Sequence, residues 1–361
     1  MSAGAPICTI ITKNRAAFLR TLFDSFRKCA PEGRCVVLVI DDFEGFLDAE
    51  QLPFEILRLQ DIGLDNPGEF RFKYTPFELC CALKPFLLEH LLLERGFEKA
   101  FYFDSDIMIL SPLTELERLF DRSDVLLTPH LDRDLPSDGK RPDDGHMLLS
   151  GVFNGGFVGV KKSEIGLSFL RWWKNKLREG CVEDHFNGTF VDQKYLDLAV
   201  GLFEGVGVVR HPGCNVAYWN LHSRKITNED GKWFSNGQPL VFFHFSAYDL
   251  TRPNELSGQQ NRFELLDDPD LQTLFGIYRD CLVENGFATS INWTYDFGTY
   301  RNGKRIPAGA RRAFLGNPAY RSMPDPFDSS THSIGFRLAA LKQSVRLLGV
   351  KLAHRFLRKA L

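Results

Sequence analysis

The sequence predicts an α/β fold, a mixed but mainly parallel sheet flanked by helices and followed by a C-terminal helical extension. Three observations predict it. Strand and helix signals alternate through the first hundred residues, and the strands read as unbroken apolar runs, the pattern of strands covered on both faces. The charge is divided: residues 301–361 hold 13 Lys/Arg against Asp325 and Asp328, a net +11, while the first 300 hold 31 basic and 44 acidic residues, a net −13.

The elements follow in order. Ile7 to Thr12 reads as a strand, Ala16 to Lys28 as a helix, and Cys35 to Ile40 as a fully buried strand ended by Asp41-Asp42. A short strand is expected at Phe54 to Leu59. Thr75-Pro76 with Glu78 makes a T-x-x-E capping box with proline at the first helical position. Pro85 should kink or divide that helix, and Gly96 should end it. Ala100 to Phe103 is a strand that runs into Asp104-Ser105-Asp106. Asp132 to Gly145, with two Pro, two Gly and many charges, reads as a surface loop. Gly151 to Val160 reads as a glycine-bearing strand where a ligand or another backbone comes close. Ser163 caps a helix holding Trp172 and Trp173, and Leu240 to Phe245 is a strand bearing His244.

Composition removes several classes. With 44% apolar and 25% charged residues, the chain is neither disordered nor fibrous. Its longest uninterrupted apolar run, Cys35 to Ile40, is far short of the roughly 20 residues of a spanning helix. The opening MSAGAPICTI shows no secretory pattern. Eight scattered cysteines without a C-x-x-C pair read as free thiols of a cytoplasmic protein, so the sequons at Asn187 and Asn292 are expected to be unglycosylated. The expected organisation is a main domain over 1–265, an extension over 266–333 packed on the core, and a basic amphipathic helix over 334–361. In that helix Leu338, Leu341, Val345, Leu348, Leu352 and Phe356 make a stripe beside seven basic residues. It reads either as a surface for an anionic membrane or as a helix packed on the body or a second copy. No phosphate loop, G-x-G-x-x-G or nucleic-acid motif is present, so no nucleic-acid partner is expected.

The chemistry centres on a D-x-D tripeptide. Asp104 and Asp106 share one side of an extended segment at a strand's carboxyl end, where open α/β sheets bind ligands. Two adjacent carboxylates repel unless a cation joins them, and divalent metals are commonly held by one or two carboxylates plus phosphate oxygens. The bland alternative is an N-cap and surface pair. The other tripeptides, Asp132-Arg-Asp134 and Asp268-Pro-Asp270, read as solvated loop charge. His244, in an aromatic strand, is by itself more often a core histidine than a ligand, and gains weight only because two carboxylates need further ligands.

An ordered set of segments then carries a resemblance: ICTIITKN at 7–14, VLVIDD at 37–42, YFDSDI at 102–107, FNGGF at 153–157, VDQK at 191–194 and FHFS at 243–246. Together, over about residues 6–265, they resemble bacterial nucleotide-sugar-dependent glycosyltransferases of the GT-A fold, distantly similar to the glycogenin-type retaining family. The resemblance implies Mn²⁺ or Mg²⁺ on Asp104, Asp106 and His244. It implies donor contacts from Thr9, Ile10, Thr12, Lys13, Asp41, Lys84, Asp104, Ser105, Asn154 and Gly155. Asp192 and Gln193 inherit the position beside the anomeric carbon, and Trp219 and Asn220, with the loop at 132–150, the acceptor side. Where the family has H-x-x-G-x-x-K-P, this chain has Ala247 and Leu250, and Arg252 is the substitute for the phosphate-binding lysine. The implied activity is metal-dependent transfer of a hexose from a nucleotide diphosphate sugar, UDP favoured over GDP, to a hydroxyl acceptor. Retention is favoured over inversion, and the setting is surface-glycan synthesis at the inner membrane face. A nucleotidylyltransferase or a non-catalytic nucleotide-sugar-binding protein is the alternative.

Overall fold

The structure, a computed structural model, describes residues 4–48 and 52–360, the last ten of these as backbone. The chain opens with β1 (Ile7–Ile11), α1 (Ala16–Cys29), β2 (Cys35–Val39) and β3 (Glu55–Leu57). Helices α2 (Pro67–Lys73) and α3 (Pro76–Leu93) lead to β4 (Lys99–Phe103), β5 (Ile107–Ile109), α4 (Thr114–Leu119) and β6 (Val125–Pro129). Next come α5 (Asp144–Ser150), β7 (Phe153–Lys161), α6 (Glu164–Gly180), a small hairpin of β8 (Glu183–Asp184) and β9 (Thr189–Phe190), α7 (Gln193–Leu202) and β10 (Val206–Val208). A three-stranded meander, β11 (Ile226–Glu229), β12 (Lys232–Ser235) and β13 (Gln238–Pro239), precedes β14 (Phe242–His244). The tail is helical: α8 (Pro269–Glu284), α9 (Phe287–Ser290), α10 (Ala308–Gly316) and α11 (Ile334–Ala360).

Seven strands form the central sheet in the order β10-β6-β7-β4-β1-β2-β3. All neighbours are parallel except β7, which runs antiparallel between β4 and β6. This is the mixed, mainly parallel α/β sheet that the alternating pattern predicts. Side chains alternate across it as strand geometry requires. Cys8, Ile10, Val36, Leu38, Ala100 and Tyr102 pack with α3 and α6 on one face. Ile7, Ile11, Val37, Val39, Phe101 and Phe103 pack with α1 on the other.

Two local expectations are corrected. Helix α3 begins with the Thr75/Glu78 capping box but runs unbroken through Pro85. Its faces are buried nearly all round, and that packing outweighs the roughly 3 kcal/mol a mid-helix proline costs. The strand expected over 54–59 is only Glu55–Leu57, because Leu59 already opens a 3₁₀ turn. All eight cysteines are free.

Helix α8 packs into a cluster with Ala17, Phe18 and Met108, and α10 packs against α11 around Phe314 and Phe336. The stripe on α11 does not take part. Ile334, Leu338, Leu341, Val345 and Leu348 are 59–78% exposed, while Phe336 on the opposite side is buried. Leu352 and Phe356, the last two positions of that stripe, lie outside the described side chains.

Candidate functional site

The site is built where β4 ends. Asp104-Ser105-Asp106 turns from β4 into β5, and β5 pairs antiparallel with β14 so that His244 stands opposite Ile107. A backbone bond from Phe245 N–H to the Asp106 carbonyl (2.9 Å) locks the two segments together. Sequence neighbours and a residue some 140 positions away thus converge: ligand atoms of Asp104, Asp106 and His244 lie within 4.8 Å of one another. His244 Nε2 is 3.1 Å from Asp106 Oδ1. Burial works against the Asp106 charge, but His244 and Arg15 hold its carboxyl well below the usual range. The donor set, two carboxylates and one imidazole, suits Mn²⁺ or Mg²⁺.

Behind these groups a chain of hydrogen bonds fixes every amide and ring. Gly156 N–H donates to Asn154 Oδ1 (3.0 Å), so Asn154 Nδ2 is the donor end, bonded to Gln193 Oε1 (3.1 Å) and His130 Nε2 (3.3 Å). Asn154 Oδ1 also accepts from Asn215 Nδ2 (3.2 Å), which leaves Asn215 Oδ1 as acceptor for His244 Nδ1 (3.3 Å). His244 Nδ1 is thereby engaged by Asn215, and Nε2 is the ring nitrogen turned to the carboxylates, where a bound cation would replace its contact with Asp106 Oδ1. His130 Nδ1 donates to the Gly151 carbonyl (2.8 Å), and burial pushes its pKa down to about 4, so it is neutral. Gln193 Oε1 also accepts from Gly155 N–H (2.9 Å), and its Nε2 donates to the Ser150 carbonyl (2.9 Å).

The two glycines of Asn154-Gly155-Gly156 are required by close approach. A Cβ on Gly155 would stand 2.6 Å from Asp192 Oδ2, and one on Gly156 would stand 2.5 Å from His244 Cε1.

Lys84 is buried at the wall of the smaller cavity. Its ammonium donates to the Gly155 carbonyl (2.8 Å) and lies 2.9 Å from Asp192 Oδ2 and 3.3 Å from Asp104 Oδ1. Burial opposes its charge more than any single neighbour supports it, yet Asp104 and Asp192 together hold its pKa above the ordinary value. Burial raises the Asp192 carboxyl, against the pull of Lys84. Tyr102 Oη donates to Asp104 Oδ1 (2.8 Å), so that oxygen is held from behind. Val191, before Asp192, has φ +40°, a strained value for a β-branched residue and the kind that clusters at functional sites.

Two cavities meet at the D-x-D segment. The smaller, about 360 Å³, is lined by Ile10, Thr12, Asn14, Arg15, Cys80, Lys84, Ser105 and both aspartates. The larger, about 790 Å³, shares Asp104 and Asp106 and is lined by His130, Asn154, Gln193, Tyr218, Trp219, His244, Ala247, Leu348 and Val350.

Several expected residues lie elsewhere. Arg252 is half exposed on the surface, paired with Asp249 and Glu255, and lines neither cavity. Asn220 is fully buried beneath the larger cavity, its amide spent on the carbonyls of His130 and Asn215 and on Ala217 N–H. Trp219 does line that cavity, edge-on to both His130 and His244 at 5.0 and 5.3 Å. Lys13 is buried against Asp296 (2.6 Å) and lines neither cavity, while its backbone N–H donates to Asp41 Oδ1 (2.9 Å). Asp41 Oδ2 and Thr9 Oγ1 are buried without a partner among the described residues, and burial lifts the Asp41 pKa to about 6. Arg15, His130, Asn215 and Asp296 were not legible as site residues. Arg15 and His130 had one readable signal, since each follows the carboxyl end of a parallel strand.

Fold and cavities define an α/β protein with a candidate divalent-metal centre at the carboxyl edge of its sheet. No family profile matches the chain. Two uncharacterised proteins of Bacillus subtilis (strain 168) are similar to it. YfnF is 29% identical over 261 residues, 69% of this chain and 83% of its own. YfnD is 27% identical over 257 residues, 69% and 79%. The solved structures to which the chain is similar include the glycosyltransferase GlyE of Streptococcus pneumoniae TIGR4, at 14% identity and a TM-score of 0.45, covering 83% of this chain and 67% of that one. Another is the galactosyltransferase LgtC in complex with donor and acceptor sugar analogues, at 16% identity and a TM-score of 0.40, covering 77% and 95%. Likeness at this level transfers no activity.

Proposed function

We propose that the chain transfers a hexose from a nucleotide diphosphate sugar, UDP favoured, to a hydroxyl acceptor, in the assembly of a surface glycan. The observation that carries this is the convergence of Asp104, Asp106 and His244 where a nucleotide-sized cavity opens into a larger one. A divalent cation bound there would neutralise charge developing on the leaving diphosphate. The chain's own residues do the rest. The cavity beside β1 takes the nucleotide, and Asn154 and Gly155 present the sugar. Gln193, on the larger cavity, stands at its reacting end, fixed by Gly155 N–H, and Asp192 lies behind it, paired with Lys84. The acceptor enters past Trp219. Retention is proposed over inversion.

Nucleotide release from UDP-, GDP- and dTDP-sugars, with Mn²⁺ or EDTA, tests the proposal. Metal-dependent release of a nucleoside diphosphate, lost in Asp106→Ala, is the expected result. Release of pyrophosphate would mean a nucleotidylyltransferase. Metal-dependent binding without turnover in the presence of an acceptor panel would mean a binding protein.

The acceptor is proposed to be lipid-linked, met at an anionic membrane surface. The exposed α11 stripe, its flanking Arg337, Lys342 and Arg346, and the position of Leu348 and Val350 on the larger cavity support this reading. No helix among the described residues is long and apolar enough to cross a membrane. Leu338→Glu with Val345→Glu is expected to abolish flotation with anionic vesicles while nucleotide release is retained. Unchanged flotation would overturn the surface assignment.

A further inference from the structure

A diphosphate beside Asp104 and Asp106 needs a cation from the protein as well as a metal, and four side chains are candidates. Lys84 donates to the Gly155 carbonyl and is ion-paired with both Asp192 and Asp104. Lys13 is paired with Asp296 and lines neither cavity. Arg252 sits on the surface between Asp249 and Glu255. Arg15 is the fourth, and its position differs from all of these.

Arg15 closes the 3₁₀ turn Lys13–Arg15 after β1, immediately before α1. Its guanidinium lies over the Phe18 ring, with the central carbon 3.5 Å from the ring centroid. The aromatic face fixes the plane of the fork and uses none of its N–H donors. Nη2 approaches Ser105 Oγ at 3.4 Å and Asp106 Oδ2 at 3.9 Å, a long hydrogen bond and an ion pair at the edge of contact. No other acceptor meets the guanidinium within hydrogen-bond distance among the described residues, and the side chain remains one-third exposed on the smaller cavity. A planar cation with unspent donors, pre-oriented by a ring and aimed along the edge of the proposed metal centre, matches the geometry of phosphate oxygens.

We propose that Arg15 binds the diphosphate of the donor, since Arg252 and Lys13 line neither cavity. This rests on the nucleotide-sugar reading above. Arg15 then contacts the leaving group during transfer, and the Arg15–Asp106 approach becomes a bridge through the ligand's oxygens.

Calorimetric titration of wild type, Arg15→Ala and Arg15→Lys with UDP, GDP and dTDP and with the matching monophosphates, in Mn²⁺, tests this. For whichever diphosphate binds wild type, Arg15→Ala is expected to weaken it roughly ten- to a hundredfold, the scale of charge-assisted hydrogen bonds. The monophosphate should change far less, and Arg15→Lys should recover part of the loss. Mn²⁺ affinity without nucleotide, read by electron paramagnetic resonance, should be unchanged, which separates phosphate binding from a damaged metal site. An undiminished diphosphate affinity in Arg15→Ala, or equal losses for mono- and diphosphate, would overturn the assignment and leave the glycosyltransferase reading intact. Failure of wild type to bind any of the three diphosphates would overturn that reading, and the Arg15 assignment with it.

Discussion

Replacing Gly156 by alanine asks whether His244 is a ligand or only a neighbour of Asp106. The added methyl would stand 2.5 Å from His244 Cε1, 2.9 Å from Nδ1 and 2.7 Å from Asn154 Oδ1. Carbon atoms rest at roughly 3.5–4.0 Å, so the contact must open by about 1 Å. Asn154 is tied to four partners, and Gly156 sits in β7 between two neighbouring strands. The imidazole is the group that yields. Metal–ligand distances tolerate about 0.2 Å, so a shift of this size removes Nε2 from coordination. Mn²⁺ affinity is expected to fall roughly ten- to a hundredfold. Gly155→Ala is the matched control: its methyl meets Asp192 Oδ2 at 2.6 Å, on the Lys84 side, and should leave metal affinity near wild type. Titration of free Mn²⁺ by electron paramagnetic resonance, beside circular dichroism to confirm folding, gives the comparison. If Gly156→Ala and His244→Ala both bind Mn²⁺ as wild type does, the coordination argument is refuted.

Three further outcomes follow from the same geometry. Asp41 has a folded pKa of about 6 against 3.8 for the free carboxyl, so stability tied to it is complete below pH 4 and is lost as pH rises through 6. Asp41→Asn should therefore stabilise the nucleotide-free protein by up to about 3 kcal/mol at pH 7.5 and by almost nothing near pH 4, and urea melts showing equal differences at both would refute the sign. Lys84→Met leaves two carboxylates without their buried cation and should cost roughly 3–5 kcal/mol, with part of the loss recovered by adding Asp192→Asn in a double-mutant cycle. Ala247 has φ +55°, so Ala247→Gly should raise stability by up to about 1 kcal/mol, and a lower melting temperature would contradict the strain argument.

What was legible in the sequence is what short-range pattern controls. Strands β1, β2 and β4 are apolar on both faces and announce themselves, and the Thr75/Glu78 box marks the first turn of α3. The D-x-D pair is readable because a strand end places both carboxylates. The antiparallel direction of β7 is not readable, since its residues look the same either way and only the connection through α5 sets the direction. The meander β11–β13 was missed because ITNE and KWFS carry mixed polarity and pair mainly through turns at Asp230-Gly231 and Asn236-Gly237. The burial of Lys84 between carboxylates is not readable, because its partners Asp192 and Gly155 arrive from the start of α7 and from β7. Arg252 was suggested by its Arg-Pro dipeptide, two positions late, and its own loop supplies Asp249 and Glu255 as partners.

The pairing of Lys13 with Asp296 also orders events in time. Those residues are 283 positions apart, and Asp296 also accepts the backbone N–H of Asp42 at 3.1 Å. At about 5–20 residues per second, a ribosome releases Asp296 tens of seconds after Lys13. Until then the end of β1 emerges with an unpaired, otherwise buried ammonium. The parallel strands can assemble during synthesis, but the wall beside them is completed only from the far end of the chain. A stop or truncation before residue 296 would therefore release a chain with its sheet formed and that wall missing.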